Sequence, residues 1–364
     1  MIIIHTTIGF GGGVGTVIKN LVNYQLKLGH KVGIIFPKSC NVEYNEFPDK
    51  VMLFPIKGKN FKGFNMIKGV SVKDTYNQMK KKYPFERIVF HSHNPAAIGI
   101  LNNIRDIPLV CTIHGVNTRK SQLSHWLTKF IIKRLIRNNV TLVGVSNQTS
   151  TYYNQIINRN VIIPIPNGVK IQPRESKNKC DKFTIGFIAQ LDDLKGWLYL
   201  FEAYNSLENK YKEKINLIFA GIGNEENVTR LQELINMNNL NGNIQYLGHV
   251  KNAGNTLTPN IDLVVLPSLS EGIPMTLLEA IGNGVPILAT KVGGIPEVLN
   301  EGENGYFITR DSIEIANYIR KIYDDKVLYQ QLKQNCINIY NKKFTIEIMG
   351  NNYLDLYFNH RVEK

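Results

Sequence analysis

The stretch "SEGIPMTLLEAIGNGVPILATKVGGIPEV", positions 270–298, decides the fold of this chain. It follows the apolar run "IDLVVLP" and contains a second one, "PILAT", with an apolar helical segment between them. A strand, a helix and a strand in succession predict a βαβ unit with parallel strands. Pro274 stands at a typical first helical position. The stretch therefore places Glu271 in the loop at the end of a strand and Glu279 in the second turn of a helix.

The same alternation continues on both sides of this stretch. A helical segment, for example, spaces Val17, Leu21, Tyr24 and Leu28 on one face. The further strand candidates are "MIIIHT", "KVGIIFP", "RIVFHSH", "PLVCTIHG" and "TLVGVSN" in the first half, and "FTIGFIAQL", "INLIFAGIG", "IQYLG" and "GYFIT" in the second. Two such series predict an α/β protein with two doubly wound, Rossmann-like parallel sheets. Ligands bind such sheets at the carboxyl ends of the strands.

Composition limits the class of protein. The chain has 364 residues, 43% of them apolar, which suffices for two cores. Its four cysteines are far apart, so we expect neither a disulfide framework nor a zinc site, as in a reducing cytosol. The first residues lack the basic start of a signal peptide and read as a strand. No run of about 18 apolar residues predicts a membrane span.

The charge is distributed unevenly along the chain. Residues 1–168 hold 22 Lys and Arg against 6 Asp and Glu, whereas residues 169–364 hold 21 against 23. The whole excess of the net charge of +14 therefore lies in the first half. Such asymmetry predicts that the first half meets an anionic partner. The alternative is a drift of composition towards lysine.

Two glycine-rich loops are candidate phosphate sites. In "GGGVG", Gly12 and Gly13 would let the backbone approach an anion at the start of a helix. An ordinary tight turn between strand and helix explains this loop equally well. In "AGIGNEE", Glu225 and Glu226 would repel phosphate, so an ordinary turn is favoured there.

Glu271 and Glu279 are the main candidates for a binding site. A carboxylate can accept hydrogen bonds from the neighbouring hydroxyls of a sugar or ribose. The helix N-terminus between them would attract a phosphate. For an isolated pair, a helix-entry acid and a solvated surface charge would be the better interpretation. No two aspartates stand two residues apart, so we expect no metal bridged by a D-x-D motif.

The pair is not isolated. The stretch from "EGIPMTLLEAIGNGVPILAT" to "GGIPEVL" closely resembles the signature of family 4 retaining glycosyltransferases of the GT-B fold. Further matches follow the order of the family over nearly the whole chain: "GGGVGTV", "HSHN", "TIHG", "VSN", "IPNGV", "LKG" and "AGIG". The resemblance implies two Rossmann-like domains facing across a cleft.

The resemblance also implies the domain plan and its functions. Residues 1–168 would bind the acceptor, 169–183 would form the linker, and 184–345 would bind a nucleotide-sugar donor. A last helix, within 346–364, would cross back onto the first domain. No cofactor or metal is expected beside the donor substrate.

The resemblance implies roles for single residues. Glu279 would bind the ribose, Glu271 the hydroxyls of the donor sugar, and Lys195 the diphosphate. The implied donor-binding set is Gly12, Gly13, Gln190, Lys195, Glu271, Ile273, Met275, Thr276 and Glu279, and the implied catalytic set is His114, Glu271 and Lys195. One departure is that Ala189 and Gln190 stand where the family usually has Gly-Arg, which weakens the expected phosphate clamp.

Histidine chemistry adds a further expectation. His114 in "TIHG" would lie at the reacting sugar, where a histidine can donate a hydrogen bond and change its charge near neutral pH. The alternative for His114 is a structural histidine that anchors a loop. For His91 and His93 we expect a structural or acceptor-side role.

The resemblance implies sugar transfer from a nucleotide-diphosphate sugar to a hydroxyl, with retention. We expect this transfer to serve the assembly of a lipid-linked cell-surface polysaccharide. We expect a cytoplasmic protein, peripheral on the inner face of the cell membrane. One alternative is a non-hydrolysing sugar-nucleotide epimerase, and another is a catalytically inactive sugar-binding subunit. A nucleic-acid partner is not expected, because the basic half lacks aromatic stacking motifs.

The stretch "TRKSQLSHWLTKFIIKRLIRNN", positions 118–139, predicts contact with an anionic membrane. An interfacial helix combines an apolar face, often with tryptophan, and a basic polar face. The apolar candidates are Trp126, Leu127, Phe130, Ile131, Leu135 and Ile136, and the basic ones are Arg119, Lys120, Lys129, Lys133, Arg134 and Arg137. A second cluster contains Lys57, Lys59, Lys62 and Lys68 with Phe61 and Phe64. The alternative is that the apolar face packs on the first sheet.

Overall fold

The computed structural model describes residues 1–10, 12–38, 47–56, 59–61, 64–66, 69–94, 107–116, 122–172 and 182–359. The chain divides into two compact units. Unit 1 comprises Met1–Gly168 and Ile346–Lys364, and unit 2 comprises Val169–Thr345. Part of the expected linker, 173–181, lies outside the described residues, as do Lys57, Lys62, Lys68, Arg119 and Lys120.

Unit 1 is built on a parallel sheet of seven strands. The strands of this unit are β1 (Ile2–Thr6), β2 (Lys31–Pro37), β3 (Met52–Ile56), β4 (Lys59–Phe61), β5 (Phe64–Met66), β6 (Ile88–Ser92), β7 (Leu109–Ile113), β8 (Thr141–Gly144) and β9 (Ile163–Pro164). Their order in the sheet is β3-β2-β1-β6-β7-β8-β9, while β4 and β5 form a separate antiparallel hairpin. β1 lies between two neighbours and is buried along its whole length, as the isoleucine run of its first three residues predicts for that part of the strand.

Among the described residues, the first part of unit 1 contains the helices α1 (Gly12–Lys27), α2 (Gly69–Lys82), α3 (Gln122–Arg137) and α4 (Asn147–Ile157). The turn from β1 into α1 requires glycine at position 15, since a Cβ there would lie 1.8 Å from the carbonyl oxygen of Phe10. Gly12 has a φ of +61°, and both Gly12 and Gly13 are exposed. α4 starts at Ser146, whose hydroxyl oxygen accepts a hydrogen bond from the Thr149 amide at 2.9 Å.

Unit 2 contains a six-stranded parallel sheet. Its strands are β10 (Phe183–Ile188), β11 (Ile215–Ala220), β12 (Ile244–Tyr246), β13 (Leu263–Leu266), β14 (Ile287–Thr290) and β15 (Gly305–Ile308). Its helices are α5 (Trp197–Asn205), α6 (Asn209–Lys212), α7 (Glu225–Met237), α8 (Ala253–Thr256), α9 (Met275–Gly282), α10 (Ser312–Asp324) and α11 (Lys326–Lys343), with short 3₁₀ turns at Thr258–Asn260 and Ile295–Glu297. The strand order is β12-β11-β10-β13-β14-β15.

The strand order of unit 2 reverses direction between β10 and β13. In an open α/β sheet, ligands bind beside the carboxyl ends of the strands at such a switch point. The loops after β10 and β13 carry Lys195 and Glu271. The topology therefore predicts a ligand-binding site at these two loops.

The final helix, α12 (Ile346–Asn359), belongs to unit 1. It packs against α1 so closely that a Cβ at Gly350 would lie 2.2 Å from the Tyr24 ring. The Tyr24 hydroxyl donates a hydrogen bond to Asn351 Oδ1 at 2.7 Å. Among the described residues, every helix is too short or too polar to cross a lipid bilayer.

The predicted strands of both halves are confirmed. β3, β9 and the β4–β5 hairpin are additional. Met52–Ile56 is an edge strand, a position at which a sheet tolerates a proline such as Pro55. The side chains of Cys111 and Cys336 are buried and unpaired, and burial raises the pKa of both thiols.

Candidate active site

Two loops at the switch point of unit 2 meet in an ion pair. Lys195 Nζ lies 2.7 Å from Glu271 Oε1, and the two side chains are 22% and 9% exposed. The Ser268 hydroxyl donates to the same oxygen at 2.6 Å. Between the two loops, the Leu269 amide donates to the Leu194 carbonyl at 2.7 Å. Within the described part of the chain, Glu271 Oε2 has no partner and can accept a hydrogen bond from a ligand hydroxyl.

A tight turn places Lys195. Its backbone amide donates to the carbonyl oxygen of Asp192 at 3.1 Å and to the Asp192 carboxylate at 2.9 Å. The next residue, Gly196, has a φ of +74°, and a Cβ there would lie 2.2 Å from the Pro267 carbonyl oxygen. Only glycine fits, because the end of β13 passes directly against this turn. The "KG" pair therefore brings the lysine to the strand that leads into Glu271.

The Gly-Gly pair of "GGIPE" has a comparable role behind Glu271. Gly293 has a φ of +58°, and a Cβ there would lie 1.9 Å from the Glu271 carbonyl oxygen. The Gly294 amide donates to the Gly272 carbonyl at 2.8 Å. The chain after β14 therefore holds the backbone of the Glu271 loop, which explains this part of the motif physically.

Glu279 lies in a desolvated position on α9. Burial raises the pKa of its carboxyl group from the usual 4.5 to about 7. A Cβ at Gly254 would lie 2.7 Å from Glu279 Oε1, so glycine makes room for the carboxyl group. The side-chain amide of Asn283 donates hydrogen bonds to the backbone carbonyls of Gly254 at 2.9 Å and of Glu279 at 2.8 Å, and so links α8 to α9. This environment is not that of a solvated surface charge.

The other predicted donor-binding residues of unit 2 differ in exposure. Ile273 is buried, and Met275 packs partly buried against the core. The Thr276 hydroxyl donates to the Ile188 carbonyl at 2.9 Å, which ties α9 to the end of β10. Gln190 is exposed at the carboxyl end of β10. Ile273 and Thr276 thus have structural contacts, while Gln190 is free to meet a ligand; their roles in donor binding stay predictions.

His114 follows β7 in unit 1 and is half-buried. Its Nε2 lies 3.1 Å from Nδ1 of His93. Burial lowers the pKa of His114 from 6.5 to about 4, because an apolar environment disfavours the imidazolium. The predicted change of charge near neutral pH is therefore wrong. At pH 7, His114 is a neutral hydrogen-bonding group.

Gly12 and Gly13 are exposed at the start of α1. Neither Gly12 nor Gly13 is required by packing, since a Cβ at Gly12 would meet no atom within 4 Å and Gly13 is exposed. The glycine that packing requires is Gly15. A role of Gly12 and Gly13 towards donor or acceptor stays a prediction.

Several supporting residues were missed from the sequence. Ser268 holds Glu271, Gly254 makes room for Glu279, and the Thr290 hydroxyl donates to the Ser268 carbonyl at 2.5 Å. His5 was also missed, although a signal was available. His5 and His91 are both near the carboxyl ends of predicted strands, and such ends meet at one edge of a parallel sheet.

Two family models match this chain in succession. Residues 11–172 match "Glycosyltransferase Family 4", and residues 169–338 match "Glycosyl transferases group 1". The chain belongs to the family 4 glycosyltransferases. The predicted family, the GT-B fold class and the activity of glycosyl transfer are confirmed.

Relatives of this glycosyltransferase match over most of their length. An Escherichia coli UDP-Gal:alpha-D-GlcNAc-diphosphoundecaprenol alpha-1,3-galactosyltransferase is 26% identical over 83% of each chain. The alpha-monoglucosyldiacylglycerol synthase of Acholeplasma laidlawii is 25% identical over 94% of each. The Anabaena protein HepE, solved with UDP, shares the fold with a TM-score of 0.76 at 18% identity, over 97% of this chain and 98% of its own.

Proposed function

We propose that this glycosyltransferase moves a hexose from a nucleoside diphosphate sugar to a hydroxyl of a lipid-linked acceptor. The anomeric configuration is retained, no metal takes part, and the product enters a cell-surface polysaccharide. Unit 2 binds the donor, and unit 1 binds the acceptor. The observation that carries the proposal is the Lys195–Glu271 pair with Ser268 at the switch point of unit 2.

Different site residues bind different parts of the donor. Glu279 accepts hydrogen bonds from the ribose hydroxyls, and Glu271 Oε2 accepts one from the sugar. Lys195, together with the free amides at the start of α5, stabilises the negative charge that develops on the departing diphosphate. Positive charge fixed before the reaction is usually the largest contribution to such a step. His114 of unit 1, neutral at pH 7, accepts a hydrogen bond from a sugar hydroxyl.

Three observations support the donor and acceptor classes. The Escherichia coli relative is named for a UDP sugar and a polyprenyl diphosphate acceptor, and the Acholeplasma laidlawii relative for a glycolipid product. HepE was solved with UDP. A uridine nucleotide and an acceptor with a lipid anchor are therefore the first choices to test.

An exposed aromatic surface on α3 supports a lipid-linked acceptor. We define the aromatic patch as Trp126, Leu127 and Phe130, which are 61%, 48% and 45% exposed. The rings of Trp126 and Phe130 stack with centroids 5.7 Å apart. Lys133 and Arg137 are exposed one and two turns further on, at helical spacing from Phe130. Aromatic and basic side chains on one face suit an anionic lipid surface, at the inner face of the cell membrane.

The apolar side of α3 is smaller than the sequence predicted. Ile131 and Leu135 are buried in the core of unit 1, and Ile136 is partly buried against that core. The prediction that Ile131, Leu135 and Ile136 belong to the membrane-facing side of α3 is wrong, because these side chains pack in or against the core of unit 1. Only the aromatic patch remains exposed among the six predicted apolar positions.

We predict that Trp126→Ala with Phe130→Ala weakens sedimentation with vesicles rich in phosphatidylglycerol by about 30-fold. Each ring is half-exposed and would lose about 1 kcal/mol of apolar contact with the bilayer. Phe85→Ala is a matched control, since Phe85 is 99% exposed elsewhere in unit 1. Equal vesicle binding by the double variant and the control would contradict a membrane-binding role of the aromatic patch. Absence of vesicle binding by the wild type would indicate an acceptor that is not anchored in a membrane.

We predict that Gln190→Arg tightens binding of UDP by about 10-fold, measured by calorimetry. Arginine can bind a phosphate with two parallel hydrogen bonds, and position 190 is exposed beside the site. Gln190→Met is the control for side-chain size without charge. Unchanged or weaker binding would show that this enzyme holds its diphosphate without a group at position 190.

The proposed activity is tested with a panel of nucleotide sugars. The purified protein is screened for thermal stabilisation by each donor, and release of the nucleoside diphosphate is then followed with extracted polyprenyl-linked acceptors. We expect release that requires an acceptor. Formation of an epimeric nucleotide sugar would favour the epimerase alternative, and binding without turnover would favour an inactive sugar-binding subunit.

A further inference from the structure

Four histidines of unit 1 meet at one edge of its sheet. His5 is on β1, His91 is on β6, His93 follows β6, and His114 follows β7. His5 and His91 are register partners on neighbouring parallel strands, so their side chains lie on the same face. His5, His91 and His93 are 0%, 0% and 5% exposed.

Three of these histidines form a hydrogen-bonded series with Gln25 of α1. Gln25 Oε1 lies 2.8 Å from His5 Nε2, and His5 Nδ1 lies 3.0 Å from His93 Nε2. His93 Nδ1 lies 3.1 Å from His114 Nε2. We call this series, Gln25–His5–His93–His114, the histidine chain.

Every member of the histidine chain is neutral at pH 7. Burial lowers the pKa of His5 and of His114 to about 4, and it lowers the pKa of His93 well below its usual value. A neutral imidazole has one nitrogen that donates and one that accepts. Each hydrogen bond in the chain therefore fixes the tautomer of the next ring.

The direction of the chain is set at Gln25. An amide oxygen only accepts, so His5 carries its proton on Nε2 and accepts on Nδ1. His93 must then donate from Nε2 and accept on Nδ1. It follows that His114 donates from Nε2, which leaves its Nδ1 as an acceptor. Within the described residues, His114 Nδ1 has no hydrogen-bond partner.

We propose that Gln25, His5 and His93 are positioning residues that hold His114 in the Nε2–H tautomer, so that Nδ1 accepts a hydrogen bond from a sugar hydroxyl. The chemical class of the ligand follows from the atom. A neutral nitrogen lone pair attracts a hydroxyl hydrogen and repels a phosphate oxygen. The contact with sugar rests on the proposed function, whereas the tautomer does not.

A metal site is the competing interpretation of these histidines. Ligand atoms of His5, His91 and His93 lie within 4.8 Å of one another. All their ring nitrogens, however, are already hydrogen-bonded, those of His91 to Thr112 Oγ1 at 2.7 Å and to the Tyr357 hydroxyl at 2.6 Å. The observed distances fit the histidine chain better.

The tautomers are measured by two-bond ¹H–¹⁵N correlation on the full-length protein labelled with ¹⁵N-histidine, without any ligand. The His114 signals are assigned with His114→Gln. We expect the wild-type spectrum to show His114 protonated on Nε2. A wild-type His114 protonated on Nδ1 would overturn the proposal by itself, even if no variant folds.

Gln25→Met removes the acceptor that sets the direction, while keeping a side chain of similar length. We expect His114 to become a mixture of tautomers in this variant. Gln155→Met, at an exposed position of α4, is the matched control and should leave the spectrum unchanged. A His114 signal identical in wild type and Gln25→Met would also overturn the proposal.

Kinetics separate this proposal from the proposed function. In Gln25→Met we expect kcat to fall by about 3- to 10-fold, because the enzyme molecules with the other His114 tautomer lack the hydrogen bond between Nδ1 and the sugar hydroxyl. The dissociation constant of UDP should not change, because the proposed UDP-binding residues lie in unit 2. If the wild type transfers no sugar, the proposed function fails while the tautomer result still stands. An unchanged kcat with a mixed tautomer would show that His114 Nδ1 does not contact the sugar.

Discussion

Glu279→Gln should weaken binding of the nucleotide sugar and, at the same time, stabilise the folded protein at alkaline pH. The carboxylate is the proposed partner of the ribose hydroxyls, and loss of a charged hydrogen-bonding partner costs roughly 1.5–3 kcal/mol. That corresponds to about 10- to 150-fold in affinity. Calorimetry with UDP measures it, and unchanged affinity in the folded variant would remove Glu279 from the site.

The effect on stability follows from the pKa of Glu279. The folded-state pKa of about 7 lies above the usual 4.5, so the folded protein binds more protons than the unfolded chain between these values. Ionised Glu279 therefore destabilises the protein as pH rises from 4.5 to 7, and the destabilisation is complete above pH 7. The pKa difference of about 2.5 units, at about 1.4 kcal/mol per unit, corresponds to a destabilisation of about 3.5 kcal/mol.

The comparison is made by denaturant unfolding at two pH values. We expect Glu279→Gln to exceed the wild type in free energy of unfolding by about 3.5 kcal/mol at pH 8.5 and by less than about 1 kcal/mol at pH 5. Glu233→Gln, at an exposed position of α7, is the control. A difference that does not depend on pH would contradict the raised pKa.

Binding of the donor should also release a proton from Glu279. Hydrogen bonds from ribose hydroxyls favour the ionised carboxylate, so its pKa falls when the nucleotide binds. Near pH 7 the free enzyme has about half of its Glu279 protonated. The heat of binding should therefore depend on the ionisation enthalpy of the buffer in the wild type, and not in Glu279→Gln.

Lys195→Met should reduce sugar transfer by about 100- to 1000-fold and destabilise unit 2 by about 3 kcal/mol. The lysine is the proposed stabiliser of the diphosphate leaving group, and loss of one such group has an effect of this order. Its removal also leaves Glu271, only 9% exposed, without its cation. Breaking a buried pair from one side is strongly destabilising, and partial exposure of Lys195 reduces the effect here.

A double variant separates the two consequences. Lys195→Met with Glu271→Gln leaves no unpaired charge, so we expect most of the stability to return while transfer stays low. Lys214→Met, at an exposed position of unit 2, controls for loss of a surface charge. Recovery of activity together with stability would show that the pair acts only structurally.

The regular part of the fold was predictable because its signals are local. Buried strands such as Leu263–Leu266 are continuous apolar runs, and α9 begins next to Pro274 as expected. The β4–β5 hairpin was not predicted. Its short strands, Lys59–Phe61 and Phe64–Met66, lie within the sequence that was interpreted only as a basic cluster.

The site was predictable in its residue types and not in its contacts. Lys195 and Glu271 are 76 positions apart, and only the strand order brings their loops together. The neutral state of His114 was missed because burial, which sets its pKa, depends on the packing of the whole unit. The burial of Ile131 and Leu135 was missed for the same reason.

The most direct test of the account is the stereochemistry of the transferred sugar. A nucleotide sugar with an α-linked hexose is incubated with the enzyme, a polyprenyl-linked acceptor and EDTA, and the anomeric coupling of the product is read by NMR. Retention requires a new α-glycosidic bond, and we expect stoichiometric release of the nucleoside diphosphate. A β-linked product, or loss of the reaction on addition of EDTA, would contradict it.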